Sequence, residues 1–254
     1  MLAEKIKPFF KELTERSGNV IRPFFFNENL AVEMKEDETP VTLADRQAET
    51  VLREHIRRNY PKHGIKGEEF PDENPDAEFV WILDPIDGTI SFTHGCPLFG
   101  TLICLLHEGR PLAGAIHQPV IGHFLYGDGQ ETTLNDRTVQ VRETSSLDEA
   151  TLLTTDLGNI GRYQKRRAFD ALAEKVKLFR TWGDCYGYHL LATGHADIMV
   201  DPILKPWDLM ALIPVVKGAG GVITTWDGGD PLEGDSIVAA NRFIHGRVLE
   251  ALNA

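Results

Sequence analysis

Cysteine is scarce in this sequence, and neither cysteine nor histidine is arranged in a known metal-binding spacing. The three cysteines, Cys96, Cys104 and Cys185, are scattered and odd in number. This pattern argues against a disulfide framework and against a paired-cysteine zinc or redox motif. No histidine pair has the HExxH spacing of a zinc enzyme. We therefore expect reduced thiols in or near the core.

Long hydrophobic runs and an excess of positive charge are also missing. No stretch approaches the ~18 apolar residues of a transmembrane helix, and residues 1–8 mix charges unlike a secretory signal. With 26 Lys and Arg against 38 Asp and Glu, the net charge is −12, which argues against a general nucleic-acid surface. We expect a cytoplasmic protein with no membrane or nucleic-acid partner, whose ligand is a small molecule.

The length of 254 residues allows a large core, formed by one big domain or by two intimately packed halves. Residues 1–149 have the pattern of helices followed by a mostly antiparallel sheet, whereas residues 150–254 alternate strands with helices. We therefore predict an N-terminal α+β half and a C-terminal α/β half, with no linker between them.

Several local predictions follow the hydrophobic spacing. Residues 2–26 are expected to form one or two helices, broken near Gly18. Residues 139–142 are predicted to be a strand, and residues 163–175 and 206–217 one helix each.

One stretch organises the rest of the chain. Residues 79–83 are five consecutive apolar residues, typical of a buried strand, and the strand leads directly to Asp84 and Asp87. Two carboxylates this close repel each other unless a cation lies between them. The Gly-Thr turn at residues 88–89 offers backbone N–H groups to an anion. Cation and anion sites side by side predict a metal-dependent enzyme that acts on phosphate.

Other acidic residues lie at the ends of predicted elements. Thr42 and Asp45 have the spacing of a helix capping box, so Asp45 taken alone is better explained as a capping carboxylate than as a functional one. Glu68 and Glu69 follow a short strand that we expect to lie beside the Asp84 strand, although acid pairs are common on loops. Asp208 follows at the start of a helix.

These six carboxylates are hard oxygen ligands, which favour Mg²⁺ or Mn²⁺ over Zn²⁺. Two or three such ions about 4 Å apart can hold a phosphate, activate a water and stabilise a departing alkoxide. The spacing along the chain alone does not place these distant residues together.

The chain resembles the inositol monophosphatase family of metal-dependent phosphatases over nearly its whole length. The resemblance rests on four motifs in family order: TPVTLAD at residues 39–45, GEE at 67–69, WILDPIDGT at 81–89, and PWD at 206–208 followed by GAGG. It implies a fold of alternating αβαβα layers and usually a homodimer. Within the family, three stretches at residues 39–45, 180–188 and 201–216 look most similar to the histidinol-phosphate phosphatase branch.

The resemblance also implies metal ligands. Glu68, Asp84 and the backbone carbonyl of Ile86 would hold a first Mg²⁺, and Asp84, Asp87 and Asp208 a second. A loosely bound third ion would contact Glu68. None of these positions departs from the family pattern.

Further roles are implied at the phosphate and the attacking water. Gly88 and Thr89 would bind phosphate oxygens through their N–H groups, and Lys35 would reach the phosphate from a loop. The Thr89 hydroxyl, oriented by Asp45, would help to deprotonate the water, with Glu69 as a further water-activating carboxylate. The implied reaction is direct in-line attack of a metal-bound water on phosphorus.

Two positions bear on the substrate. The resemblance places Asp184 and Asp201 near the substrate's organic part, where two carboxylates would suit the ammonium and imidazole groups of histidinol phosphate. The simpler alternative is that Asp184 only caps its helix. Inositol 1-phosphate or another small phosphomonoester is the alternative substrate, and a catalytically silent ligand-binding scaffold is the alternative from another class of protein.

Overall fold

The computed structural model describes residues 2–27, 32–34 and 40–254. Nine α-helices lie in these residues, and they are numbered in chain order. Helices α1 to α9 span Leu2–Ile21, Leu43–Asn59, Thr89–Thr93, Leu157–Tyr163, Arg166–Ala173, Asp184–Ala192, Pro206–Leu209, Leu212–Gly218 and His245–Asn253. Short 3-10 turns span Arg22–Phe24, Leu147–Glu149 and Pro231–Glu233.

The strands of the described residues form two large sheets and one small hairpin. Strands β1 and β2, Val32–Met34 and Pro40–Thr42, pair antiparallel as the hairpin. Strands β3 to β9 span Gly64–Gly67, Phe79–Asp87, Gly100–His107, Arg110–Gln118, His123–Gly127, Thr132–Leu134 and Arg137–Thr138. Strands β10 to β14 span Thr151–Leu153, Leu178–Arg180, Ile198–Asp201, Gly221–Thr224 and Ile237–Asn241.

The seven-stranded sheet follows chain order, β3-β4-β5-β6-β7-β8-β9. Its neighbours pair antiparallel except β3 and β4, which run parallel. The five-stranded sheet has the order β11-β10-β12-β14-β13 and is mixed, since β10 runs parallel to both of its neighbours. The parallel pair β3 and β4 matters most for function, because both strands end at the same edge.

The two sheets alternate with helices to give five layers. On one face of the seven-stranded sheet, α1 and α2 bury residues such as Phe10 and Leu52 against Trp81. Between the sheets, α6 and α8 share the largest apolar core with residues of both, and α4, α5 and α9 cover the outer face of the five-stranded sheet. The predicted αβαβα layering is therefore confirmed. The division into units at residues 149 and 150 stays a prediction.

Helix α1 is continuous, so the predicted break near Gly18 is wrong. Gly18 is buried, and a Cβ atom there would lie 2.8 Å from Cε1 of His117. The glycine therefore serves a close approach of the helix to β6 and does not end the helix. The apolar residues of α1, including Ile6 and Leu13, stabilise the helix against the sheet despite the glycine.

Three other local predictions are corrected. Residues 139–142 are not a strand, because the chain leaves the sheet and the Val141 N–H donates to the carbonyl of Ala219. The helix predicted at 163–175 is the shorter α5 at Arg166–Ala173, and the preceding helix α4 was not predicted. The helix predicted at 206–217 divides into α7 and α8, since Pro214 has no N–H to donate to Met210 in a continuous helix.

Across the described ranges, no helix combines the length and the apolar character needed to cross a membrane.

Candidate active site

The end of β4 places two carboxylates on one side of the sheet edge. Residues three apart on a regular strand point to opposite faces. Here Asp84 pairs with Leu102 and Asp87 with Gly100, so β4 carries one residue more than β5 in this interval. This bulge re-aims the second side chain. As a result, oxygens of both carboxylates lie within 4.8 Å of each other.

Asp208 joins this pair from the C-terminal half of the chain. It lies on the short helix α7, which packs against β4, and its Oδ2 accepts a hydrogen bond from the Lys205 N–H at 2.8 Å. Single oxygens of Asp84, Asp87 and Asp208 all lie within 4.8 Å of one another. The fold therefore assembles the carboxylates that the spacing along the chain left far apart.

The carboxylates repel each other in a buried environment. Burial raises the pKa of Asp84 well above its ordinary value, and the charges of Glu68, Asp87 and Asp208 raise it further. Burial, followed by the charges of Asp184 and Asp208, also raises the pKa of Asp87, and burial raises that of Asp208 to about 6. Asp84 is 2% exposed, and its Oδ1 has no hydrogen-bond partner in the structure.

An unsatisfied buried oxygen and three mutually repelling carboxylates need a positive charge, so this donor set fits a divalent cation. The acidic cluster is compatible with a metal site, as the sequence predicted.

Glu68 reaches the same edge because β3 runs parallel to β4. Gly67 pairs with Leu83, and the next N–H, that of Glu68, donates to the Leu83 carbonyl at 3.2 Å. The negative charge of Glu68 contributes to the raised pKa of both Asp84 and Asp208. The predicted neighbourhood of the two strand ends is confirmed. We use "acidic edge" for Glu68, Asp84, Asp87 and Asp208.

Asp45 caps helix α2 and still keeps one oxygen without a partner. Its Oδ2 accepts from the Thr42 N–H at 2.9 Å and from the Thr42 hydroxyl at 2.6 Å, which confirms the capping box. Its Oδ1 is buried and has no hydrogen-bond partner. Burial raises the pKa of Asp45 to about 6, and the charges of Glu69 and Glu68 contribute. Capping alone therefore does not account for both oxygens.

The Gly88-Thr89 turn begins the one-turn helix α3. Gly88 has a φ of 84°, a left-handed conformation that favours glycine. The Thr89 hydroxyl donates to the Ile86 carbonyl at 3.0 Å, so the expectation that Asp45 orients this hydroxyl is wrong in this structure. Lys35 lies outside the described residues.

Asp184 does not cap its helix, so the simpler alternative is wrong. Helix α6 has Gly183 as its N-cap without a side-chain cap, and Asp184 has a φ of 49°. Its Oδ2 accepts from the Ser91 hydroxyl at 3.2 Å, next to the Gly88 turn. The free N–H at the helix start, that of Cys185, donates to Asp87. Burial raises the pKa of Asp184 to about 6.

Asp201 is held from two sides. Its Oδ2 accepts from the Tyr188 hydroxyl at 2.8 Å and its Oδ1 from the Thr155 N–H at 3.2 Å. The Thr155 hydroxyl in turn accepts from the Asp184 N–H at 2.8 Å, which links the two carboxylates. Burial raises the pKa of Asp201 to about 7. We use "carboxylate wall" for Asp184 and Asp201 with their donors Ser91, Thr155 and Tyr188.

A cavity of about 540 Å³ joins the two groups. Asp87 and Asp208 of the acidic edge line it together with Asp184 and Asp201. Helix α4 contributes Asn159, Arg162 and Tyr163 to the same cavity. The sequence did not point to Ser91, Thr155 or the α4 residues. For Ser91 alone there was a signal of a place in the site, its position two residues after the Gly88-Thr89 turn.

The layered α/β fold thus places the acidic edge, whose donor set is compatible with a cation, beside a cavity. A sequence profile of the inositol monophosphatase family matches residues 2–254. The chain is 38% identical over 244 residues to a histidinol-phosphatase of Chlorobaculum parvum, covering 95% of this chain and 94% of that protein. It is 40% identical over 253 residues to the bifunctional phosphatase IMPL2, chloroplastic, of Arabidopsis thaliana, covering 94% and 72%.

A solved structure of an inositol monophosphatase from Zymomonas mobilis superimposes with a TM-score of 0.85 at 36% identity, covering 96% of each chain. The chain belongs to the inositol monophosphatase family. It is a phosphatase, as the four motifs predicted.

Proposed function

We propose that this phosphatase releases phosphate from L-histidinol phosphate in a Mg²⁺-dependent reaction of histidine biosynthesis. The observation that carries the proposal is the carboxylate wall. Asp184 and Asp201 line the same cavity as Asp87 and Asp208, and their charges suit the ammonium and imidazole groups of this substrate. Relatives named histidinol-phosphatase at 36% and 38% identity support the choice.

The proposed cation ligands are the acidic edge and the Ile86 carbonyl. Their oxygens belong to the hard type that Mg²⁺ prefers, and Mn²⁺ would be accepted by the same set. When bound, the cations lower the pKa of a water and neutralise charge on the phosphate oxygens.

The chain's own groups would position the phosphate and move the proton. The N–H groups of Gly88 and Thr89 would bind phosphate oxygens at the start of α3. Water would attack phosphorus opposite the ester oxygen, so that one P–O bond forms as the ester P–O bond breaks, and the departing oxygen would take a proton from solvent water and leave as the alcohol. Asp45, through its unpartnered Oδ1, would accept the proton of the water, with Glu69 close by. Lys35 remains a predicted phosphate contact.

Hydrolysis of inositol 1-phosphate is the alternative function. It is supported by the overall similarity to the Zymomonas mobilis enzyme, whose printed description is an inositol monophosphatase. Both functions use the same acidic edge, so they differ only in what the carboxylate wall contacts.

A phosphate-release panel separates these functions. Phosphate release is measured with and without Mg²⁺ from histidinol phosphate, from inositol 1-phosphate and from a simple phosphomonoester whose organic group is uncharged. We expect the largest kcat/KM for histidinol phosphate and no turnover without the cation. A larger kcat/KM for inositol 1-phosphate would refute the proposed substrate. Absence of Mg²⁺-dependent turnover on every ester would favour a silent scaffold.

The cytoplasmic location and the homodimer stay predictions. Light scattering of the purified protein during gel filtration would give its mass in solution. A mass of one chain would contradict the dimer.

A further inference from the structure

A buried ion pair on helix α2 lies directly behind the acidic edge. Glu49 and Arg53 are one helical turn apart, and their exposed fractions are 0% and 2%. The Arg53 Nε donates to the Glu49 Oε1 at 2.7 Å. Neither residue belongs to the acidic edge, so the chemistry proposed above leaves this pair without a role.

The acid of the pair holds the backbone at the site's glutamates. The second oxygen of Glu49, Oε2, accepts a hydrogen bond from the Glu69 N–H at 2.8 Å. A Cβ atom at Gly67 would lie 2.2 Å from the Glu49 Oε1. Glycine at position 67 is therefore what lets the carboxylate approach the chain where β3 ends and Glu68 begins.

Arg53, the cation of the pair, holds the rest of the same loop. The guanidinium of Arg53 donates to the carbonyls of Phe70 and Pro71, both at 3.0 Å, and to the Glu73 carboxylate at 2.8 Å. The loop then closes on β3, because Ile65 and Glu73 exchange two backbone hydrogen bonds of 2.8 Å. Residues 68–73 thus wrap around one arginine side chain.

This arrangement is poorly explained as a source of stability. Burying two charges costs solvation free energy that their attraction often fails to recover, so a buried ion pair is weak evidence for stabilisation. What the pair does provide is a fixed orientation of the groups it contacts, because the N–H groups of a planar guanidinium and the oxygens of a carboxylate form good hydrogen bonds only within a narrow range of geometries. Every one of these contacts outside the pair is made to the loop that carries Glu68 and Glu69.

We propose that the Glu49–Arg53 pair is a positioning element that fixes the backbone of residues 68–73 and thereby sets the affinity of the acidic edge for a divalent cation. The inference rests on the cation site in the proposed function, but it does not depend on the substrate. Groups that orient metal ligands typically change metal affinity by about 10- to 100-fold when they are replaced.

The test measures Mn²⁺ binding to the metal-free protein without substrate, by electron paramagnetic resonance of the free ion. Arg53→Gln should weaken Mn²⁺ binding at least about 10-fold. Arg53→Lys should also weaken it, because one ammonium cannot reach Glu49 and both carbonyls. Arg57→Gln is the matched control, since Arg57 contacts the Glu73 carboxylate and no loop carbonyl. It should leave binding within about twofold of the wild type, because a contact confined to one exposed side chain contributes little.

Circular dichroism and thermal unfolding establish that each variant is folded. If Arg53→Gln does not fold, Arg53→Lys and Glu49→Gln carry the test, because they keep most of the side-chain volume. Folded variants that bind Mn²⁺ like the wild type would overturn the proposal, as would an equal loss in Arg57→Gln. A wild type that binds Mn²⁺ but hydrolyses no phosphoester would refute the proposed function and leave this inference standing.

In turnover, the same variants should raise the Mg²⁺ concentration for half-maximal rate, while KM for the substrate at saturating Mg²⁺ stays close to the wild type. A rise in KM alone would indicate a general distortion of the cavity and would count against the proposal.

Discussion

The acidic edge and the carboxylate wall are both clusters of carboxylates, buried at Asp84 and Asp201 and half-buried at the other positions, yet they differ in how their oxygens are satisfied. In the acidic edge, Asp84 and its neighbours repel one another, and an Asp84 oxygen has no partner. In the carboxylate wall, Asp184 accepts from the Ser91 hydroxyl, and Asp201 accepts from the Tyr188 hydroxyl and the Thr155 N–H. The first cluster keeps a buried oxygen that no group of the chain satisfies, as a cation site would, whereas both carboxylates of the second have donors from the chain itself. We therefore expect cation dependence from the edge and substrate preference from the wall.

The largest effect is expected at the acidic edge. Asp87→Asn removes one ligand charge with little change of shape, and it should lower kcat/KM by about 1000-fold, equivalent to about 4 kcal/mol of transition-state stabilisation. The loss should be similar for every phosphoester, because the edge is proposed to act on the phosphate group that all of them share. Steady-state kinetics and circular dichroism measure the activity and the fold. A folded variant with a near-normal kcat would remove Asp87 from the proposed cation site.

A smaller but selective effect is expected at the carboxylate wall. Asp184→Asn is preferred over alanine, because asparagine tolerates the φ of 49° at this position. Loss of a charged contact to the ammonium should lower kcat/KM for histidinol phosphate by about 30-fold, from about 2 kcal/mol. Hydrolysis of a phosphomonoester whose organic group is uncharged should change little. Equal losses on both esters would show that Asp184 does not select the substrate.

A third change acts on the wall indirectly. Ser91→Ala removes the hydroxyl that donates to Asp184, so it should cost about 1 kcal/mol, or about fivefold in kcat/KM for histidinol phosphate. Thr93→Ala is the matched control on the same helix, because its exposed hydroxyl contacts only local groups, the Ile90 carbonyl and the Nδ1 of His94. Steady-state kinetics on histidinol phosphate and on an ester with an uncharged organic group show whether the loss is selective for histidinol phosphate. The role of Ser91 would be contradicted if Thr93→Ala had the same effect.

The smallest effect concerns stability and pH. Burial raises the pKa of Asp201 from 3.8 to about 7, so the folded protein holds this proton more tightly than the unfolded chain does. Its contribution to stability is complete below about pH 4 and is lost as the pH rises to about 7. The asparagine of Asp201→Asn cannot ionise. The free energy of unfolding of this variant should therefore rise relative to that of the wild type as the pH increases over this range.

Urea denaturation between pH 4 and pH 8 measures this difference. The exposed residue Asp170 provides the control Asp170→Asn, which should show no comparable gain. A constant difference between Asp201→Asn and the wild type would show that Asp201 does not titrate on unfolding.

Much of the fold was predictable because its signals are local. The apolar run before Asp84, the capping box at Thr42 and the alternation after residue 150 each depend on neighbouring residues, and the structure confirms all three. Gly18 misled the helix prediction, because tertiary packing outweighs the low helix propensity of one glycine. Pro214 was the local signal for the break between α7 and α8, and it was overlooked.

The site was less predictable, because its geometry depends on contacts between distant residues. The bulge in β4 that brings Asp84 and Asp87 to one side depends on pairing with β5. The capping alternative for Asp184 could not be decided from the sequence, since its actual donor, Ser91, lies over ninety residues earlier. Such side-chain contacts carry no periodic signal, so they appear only in the folded chain.

The bridge between Ile65 and Glu73 has a consequence for solubility. Strand β3 is the outermost strand of the seven-stranded sheet, and an exposed edge of this kind can pair with another molecule and start aggregation. The loop of residues 68–73 folds back so that the outward N–H and carbonyl of Ile65 form hydrogen bonds with the backbone of Glu73. Mutations that release this loop should therefore lower the yield of soluble protein, even when the cation site itself is intact.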